Sequence, residues 1–468
     1  MRTRIQSTNG GRGGGEVHAP GPSASSPGAS ARSGGGSALP PVPAPPGSNG
    51  FTFVFRALRS RNYRLFFTGQ SISLIGTWMQ RVAVAWLAYR LTNSAMLLGV
   101  VGFAGQIPTF LFAPVAGVLA DRWDRRRTII MTQSLAMLQA FVLAILFFSG
   151  HIHVWHLIAL SVMLGTINSL DMPVRQSFVV QMIERKEDLG NAIALNSSIV
   201  NAARLLGPSA AGLLVAGFGE GVCFLVNALS YIAVIAALLA MRITPLSRPV
   251  STGRMLAGLR EGYSYVFGSV PIRYIIMLLA LVSLMGMPYQ VLMPVFARDV
   301  LHGGAHTLGF LMGASGLGAL VGTIYLAAHR SIHRLGRVIP TAAVIFGVGL
   351  SAFAISRIIW LSLAFVLVAG FGMMVQMASS NTVLQTIVDE DKRGRVMSFY
   401  AMAFMGMAPF GSLLAGSLAS AIGAPRTLVI GGGFCVAGGL LFARRLAAIH
   451  DILHPIYRRM GIGPEVTP

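Results

Sequence analysis

With 54% hydrophobic and only 11% charged side chains over 468 residues, and a mean hydropathy of +0.67, this chain is short of polar surface. A soluble domain carries roughly 25% charged residues, so a water-soluble fold is excluded. The formal charge of +21 would suit nucleic acid, but the arginines fall in loops on one side of the apolar runs. That is the pattern of membrane topology, and no nucleic-acid partner is expected. Cys223 and Cys435 both lie in apolar runs, where they form neither a disulfide framework nor a metal spacing.

Residues 1–50 are mostly Gly, Ser, Pro, Ala and Arg. Such a segment buries too little apolar surface to offset its ordering entropy, so a disordered tail is expected. It has no apolar stretch of the secretory-signal kind. Phe55 to Phe67 mixes Arg with aromatics and reads as a short interfacial helix leading into the first span. Twelve apolar runs follow, at about 65–89, 95–120, 128–149, 155–179, 189–217, 220–241, 272–297, 307–328, 338–356, 358–384, 394–420 and 425–443. The expected fold is therefore an all-α membrane protein of twelve transmembrane helices.

Gly117 to Arg127, GVLADRWDRRR, separates the second run from the third. An acid and a knot of arginines cannot lie in hydrocarbon, so this is a tight loop at a membrane surface, and its arginines mark the cytoplasmic side. On that side also fall Arg185 and Lys186, then Arg330, Arg334 and Arg337, then Lys392, Arg393 and Arg395, and finally Arg444 and Arg445. The other side holds little more than Arg90, Arg298, Arg357 and Arg426. The alternation places both termini in the cytoplasm.

A linker divides the runs into two sets of six. Its first part, TPLSRPVSTGR, is a tether. Its second places Leu256, Leu259, Tyr263 and Val266 at helical spacing, an amphipathic helix for a membrane face. The expected domains are the tail 1–50, a first bundle 51–242, the linker 243–270, a second bundle 271–445 and a tail 446–468. The two sets look like repeats: Gly117 and Gly322 each close the second run of their set, about 205 residues apart. Gln181 to Gly212 resembles Thr386 to Gly416, with Pro208 and Pro409 in similar places.

Polar groups inside a span are costly and mark candidate sites. Gln70, Thr77 and Arg81 share a helical face, with Gln80 adjacent. Either this face lines a cavity and offers Arg81 to an anionic or carbonyl-rich substrate, or Arg81 snorkels to headgroups or a carbonyl. Asn168, Asp171 and Arg175 lie on one face of the fourth run. Asp171 is the candidate proton carrier with Arg175 beside it; the other reading is a structural intrahelical ion pair. Arg204 shares a face with Ser197 and Asn201 and should look into protein. Tyr289 and Gln290 lie between Pro288 and Pro294, and Gln376, Asn381 and Gln385 lie in the tenth run. These suit a hydrogen-bonding, amphipathic substrate, or else interhelical bonds worth about 0.6 kcal/mol each. His302 and His306, without an acid ligand, give little metal signal. No nucleophile elbow, phosphate loop or metal cluster is present, so neither an enzyme nor a cofactor nor direct ATP drive is expected.

The arginine loop resembles the signature that joins the second and third helices of the major facilitator superfamily. Gly117, Leu119, Asp121, Arg122, Arg125, Arg126 and Arg127 match it, while Asp124 stands where that family has Gly. In the superfamily this cluster latches the cytoplasmic side, so the resemblance implies a conformational lock. Ala203 to Gly212, ARLLGPSAAG, resembles the antiporter signature through Gly207, Pro208 and Gly212, with Ala203 and Ala211 in place of glycines. Physically that motif is close helix packing; its association with export comes from the resemblance alone. Together with SLIGTWMQRVAVAWLAYRLTNSA and DMPVRQ, these features point to the branch of siderophore and drug exporters. The resemblance implies two six-helix repeats rocking about a midplane cavity lined by the first, fourth, seventh and tenth helices. The expected function is export of a small amphipathic molecule, a siderophore or drug-like compound, driven by protons and performed by a monomer. A lysophospholipid flippase and a non-transporting sensor or assembly protein on the same scaffold are the competing readings.

Overall fold

The computed structural model describes residues 55–242, 255–328 and 332–445. Within these, the side chains of 113–115, 117, 118, 120–122, 186, 255–261 and 332–334 are not described. The expectations for the 1–50 tail, for residues 243–254 of the linker, and for the tail from 446 lie outside the described residues.

Among the described residues there is no strand, and twelve long helices form. The first six are α1 (Arg61–Thr92), α2 (Ala95–Arg122), α3 (Arg125–Phe148), α4 (Val154–Met182), α5 (Leu189–Phe218) and α6 (Glu220–Ala240). A short helix α7 (Met255–Gly268) belongs to the linker. The last six are α8 (Val270–Val300), α9 (Ala305–Ala328), α10 (Ile332–Ile355), α11 (Ile359–Ile387), α12 (Glu390–Ile422) and α13 (Ala424–Arg444). Eleven of the long helices are apolar and long enough to cross a membrane. The twelfth, α1, is long enough, but Gln70, Gln80 and Arg81 interrupt its apolar run. Leu111, Ile145, Leu213, Ile324, Ile355 and Leu441 all face outward. Helices satisfy every backbone group internally, so such a surface can meet lipid. This is a multi-pass membrane protein.

Short caps set the turns. Asp124 ends the arginine loop by accepting from Arg127 N at 2.7 Å, which explains an acid where the family has Gly. Asn93 closes α1 in the left-handed region at φ 50°, and Ser94 then accepts from Leu97 N. Prolines set the bends. Pro288 has no N–H for the helical ladder, and the preceding turn of α8, Val282–Gly286, widens into a π-turn closed by Met287 N to Val282 O at 3.0 Å. A second π-turn in α12, Met402–Gly406, precedes Pro409 in the same manner.

The same pairings recur in the two sets of six. In the first, α1 packs on α5 and α6, α2 on α4, and α3 on α4 and α6. In the second, α9 packs on α11, and α10 on α11 and α13. The sets meet through α2 against α12 and α5 against α9. Both junctions are glycine contacts: a methyl at Gly212 would come within 2.8 Å of Gly309 Cα, and one at Gly416 within 2.8 Å of Gly99 Cα. Only bare backbones approach so closely. Gly212 and Gly416 close the two resembling sequence stretches, so the repeat is visible in the contacts.

These junctions lie at the end of the molecule opposite the arginine loop. There one core runs through both sets, joining Trp86, Leu98 and Phe224 to Phe296, Phe353 and Leu428. At the arginine end the first set has its own separate core of Tyr63, Phe66, Ile129, Phe178, Ala192 and Leu238. In the linker helix, Val266 is buried and Tyr263 is exposed. Tyr265 donates to Asp389 Oδ2 at 3.3 Å, and Gly262 lies against Phe399, so α7 rests on the start of α12.

Candidate functional site

A small cleft opens where α1, α5, α8 and α9 meet. Its walls are Trp78, Arg204, Pro208, Gln290, Met293 and Met312, with Tyr289 and Ser315 behind. Pro208 and Gly207 belong to the antiporter-like motif. A methyl at Gly207 would stand 2.5 Å from Trp78 Cβ, so this stretch of α5 presses against α1. Gly212, one turn further on, presses against α9. The motif is thus a two-sided packing surface that forms one wall of the cleft and closes its end.

Two guanidiniums share the Trp78 ring. Arg81 Cζ lies 4.8 Å from its centre and Arg204 Cζ 6.0 Å. Both distances are within cation–π range. Arg81 is exposed and Arg204 half-buried. Among the described residues neither arginine has a hydrogen bond or an ion pair; their contact is the ring. Below them, towards the arginine end, Ser197 is exposed and Asn201 half-buried on the face of α5 that carries Arg204. On α11, Gln385 is exposed and Asn381 half-buried, the two bonded to each other. Accessible polar side chains thus lie on the arginine-loop halves of α5 and α11.

The structure divides the remaining sequence candidates. Gln80 is buried: its Nε2 donates to Gln139 at 2.9 Å and its Oε1 accepts from Asn227 at 2.7 Å, tying α1 to α3 and α6. Gln70 is buried on the same helix, and Thr77 is half-buried against Tyr231. Asn168 is half-buried on α4 without a side-chain hydrogen bond among the described residues. Tyr289 is fully buried and bonded to Ser315 Oγ at 2.5 Å; Gln290 beside it is half-buried. Gln376 is buried, with Nε2 3.4 Å from Ser380 Oγ and Oε1 unpartnered by protein.

Asp171 sits away from the cleft, between α4 and α3. Its Oδ1 accepts from Thr132 and from Gln133, each at 2.8 Å, and its Oδ2 lies 3.2 Å from Arg175 Nη2. Three donors on one buried carboxylate tie the two helices together. All of its partners belong to the first set of six.

In the arginine loop, the side chains of Asp121 and Arg122, and Gly117, lie outside the described residues. Arg126 donates to the carbonyls of Leu238 and Leu239, both at 2.9 Å, and so neutralises the negative end of α6. Arg125 reaches Ser177 O at 3.5 Å, and Arg127 is exposed. These partners also belong to the first set.

Sequence reasoning missed a charged cluster at the opposite end. Tyr89 donates to Asp299 Oδ2, and Arg298 donates to Asn93 Oδ1 at 2.7 Å while lying over the Tyr89 ring. Both contacts join α1 to α8, across the two sets. Next to them, buried Glu220 pairs with Arg90 at 3.0 Å. The partners stand up to 210 residues apart, and each alone reads as a loop residue.

The family model described as transmembrane secretion effector matches residues 52–454. Among relatives, a staphyloferrin A transporter of Staphylococcus aureus is 25% identical over 370 residues, 79% of this chain and 92% of that protein. A multidrug efflux pump, Tap, of Mycobacterium tuberculosis is 26% identical, covering 81% and 91%. A macrolide efflux protein A of Streptococcus pyogenes is 23% identical, covering 79% and 93%. Among solved structures, an inward-facing, occupied bacterial homologue of the lysosomal transporter Spinster superposes with TM-score 0.65 at 14% identity, over 82% of this chain and 97% of that one. A bacterial homologue of ferroportin, also inward-facing, gives TM-score 0.62 at 19% identity, over 83% and 98%. The arginine loop, the repeated pairing of helices and the match over most of its length together make this chain a member of the transmembrane secretion effector family of major facilitator transporters.

Proposed function

We propose that this protein exports a small amphipathic molecule by alternating access, with protons moving in the opposite direction. The carrying observation is the cleft at Trp78, between two sets of helices that meet at the Gly212–Gly309 and Gly99–Gly416 contacts, with accessible polar side chains on the arginine-loop halves of α5 and α11. In this reading the arginine end faces the cytoplasm, since retained arginines mark that side. Substrate enters between the first bundle, 51–242, and the second, 271–445. The bundles then rock, the glycine contacts part, and the cleft opens on the far side. The relatives named for a siderophore and for drugs supply the substrate range.

The contacts also suggest how coupling is divided. Asp171 keeps all of its partners in any rocking motion, because they move with it. Asp299 loses Tyr89 when the far end opens, because that partner sits on the other bundle. We therefore assign Asp171, with Arg175, to holding the first bundle, and the Tyr89–Asp299 bond to closing the far end. Arg125 and Arg126 likewise hold the first bundle together, and the locking role of the loop falls to Asp121 and Arg122.

The test is internal pH in proteoliposomes containing the monomeric protein, on addition of siderophores and dyes. Substrate-dependent proton movement is expected in wild type and in Asp171→Asn. Substrate flux with no proton movement in either protein would sink proton antiport. No flux of any compound would sink transport itself.

A further inference from the structure

Resting on that transporter reading, we infer that the Trp78 cleft is a binding site for an anionic amphiphile, its carboxylate or phosphate held between Arg81 and Arg204. The two guanidiniums are gathered at one ring, from helices α1 and α5. Arg81 has Arg204 as a like-charged neighbour and no acid balancing it. Elsewhere in the same bundle three arginines are matched: Arg175 by Asp171, Arg126 by two carbonyls, Arg90 by Glu220. Like charges held together away from bulk water repel, and the arrangement is relieved by an anion. Guanidinium offers parallel N–H donors that match carboxylate or phosphate oxygens two at a time.

The rest of the cleft defines the body of the ligand. Trp78 supplies a flat apolar face, and Met293 and Met312 supply adaptable apolar wall. Gln290 offers one amide for a carbonyl or hydroxyl. A ligand that fits has one anionic group beside an aromatic or branched apolar portion. A purely cationic amphiphile meets two like charges and is disfavoured. A soluble carboxylate and a lysolipid headgroup share the required chemistry and are separated by experiment.

The test uses the full chain in detergent. Fluorescence anisotropy reads the binding of carboxyfluorescein, and lysophosphatidylglycerol is added as competitor. Wild type is expected to bind the dye, and Arg81→Gln and Arg204→Gln each to bind it ~10-fold more weakly. Arg81→Lys and Arg204→Lys keep the charge but lose the paired donors and are expected to bind between wild type and the Gln variants, which separates charge from folding. Displacement at low lysolipid concentration identifies a lipid source, and no displacement identifies a soluble one; both support the anion site. Failure of wild type to bind either probe, or binding unchanged in both Gln variants, overturns it. The transporter reading has a separate readout: a neutral macrolide that crosses proteoliposomes while no anion binds removes the anion site and leaves transport standing. Arg-dependent binding with no flux of any compound does the reverse.

Discussion

Two charged clusters in the first bundle stand in contrast. Asp171 and Arg175 are nearly sheltered, and each polar atom of the carboxylate is met: Thr132 and Gln133 on one oxygen, Arg175 on the other. Arg81 and Arg204 have no acid among the described residues, only a shared aromatic face. Taking charge out of water is expensive, and partners repay the cost. The first cluster repays it within the protein and so reads as scaffold. The second leaves it unpaid, which is how a site looks before its ligand arrives. Charge inside a membrane protein is therefore informative chiefly through what it lacks.

The comparison can be broken at its strong side first. Asp171→Ala strands Arg175 and two neutral donors, and is expected to destabilise the protein by about 3–5 kcal/mol, read by denaturant unfolding in detergent. The double replacement Asp171→Leu with Arg175→Leu should recover most of that loss. Arg81→Gln with Arg204→Gln should leave unfolding unchanged while lowering flux of an anionic substrate ~100-fold in proteoliposomes. If the arginine pair destabilises as Asp171→Ala does, it too is scaffold. Tyr89→Phe removes a hydrogen bond to the Asp299 carboxylate, worth about 1.5 kcal/mol. It should shift the resting equilibrium ~10-fold towards the state open at the far end, read by maleimide labelling of a cysteine placed beside Asn93. Gln80→Met should cost least, about 1.2 kcal/mol for two interhelical bonds, with flux unchanged.

Much of the fold was legible because it depends on local pattern. The apolar runs become helices α1–α6 and α8–α13, extended by up to a few residues where loops are tight. The glycine at the end of each resembling stretch, Gly212 and Gly416, becomes a contact between bundles. What sequence periodicity cannot give is the neighbour. Gln70, Thr77 and Arg81 do share a face, but α6 covers one end of it, so Gln70 is buried while Arg81 meets water. Asp124 looked like a departure from a motif because a cap is defined by the backbone it terminates. Asp299 and Glu220 stand at the ends of apolar runs, where an acid alone signals nothing. Their partners, Tyr89 and Arg90, come from a helix that only the folded chain brings alongside. Trp78 was hidden for the same reason: its role depends on an arginine from α5 reaching it.

The central claim is that one cleft is reached from two ends in turn. Cys223 and Cys435 are buried, so a single introduced cysteine gives a clean signal. Gln290→Cys in sealed, oriented proteoliposomes should react with a membrane-impermeant maleimide from the arginine end in the resting protein. With substrate and an inward proton gradient, it should also react from the far end. Reaction from one end alone under both conditions would contradict alternating access.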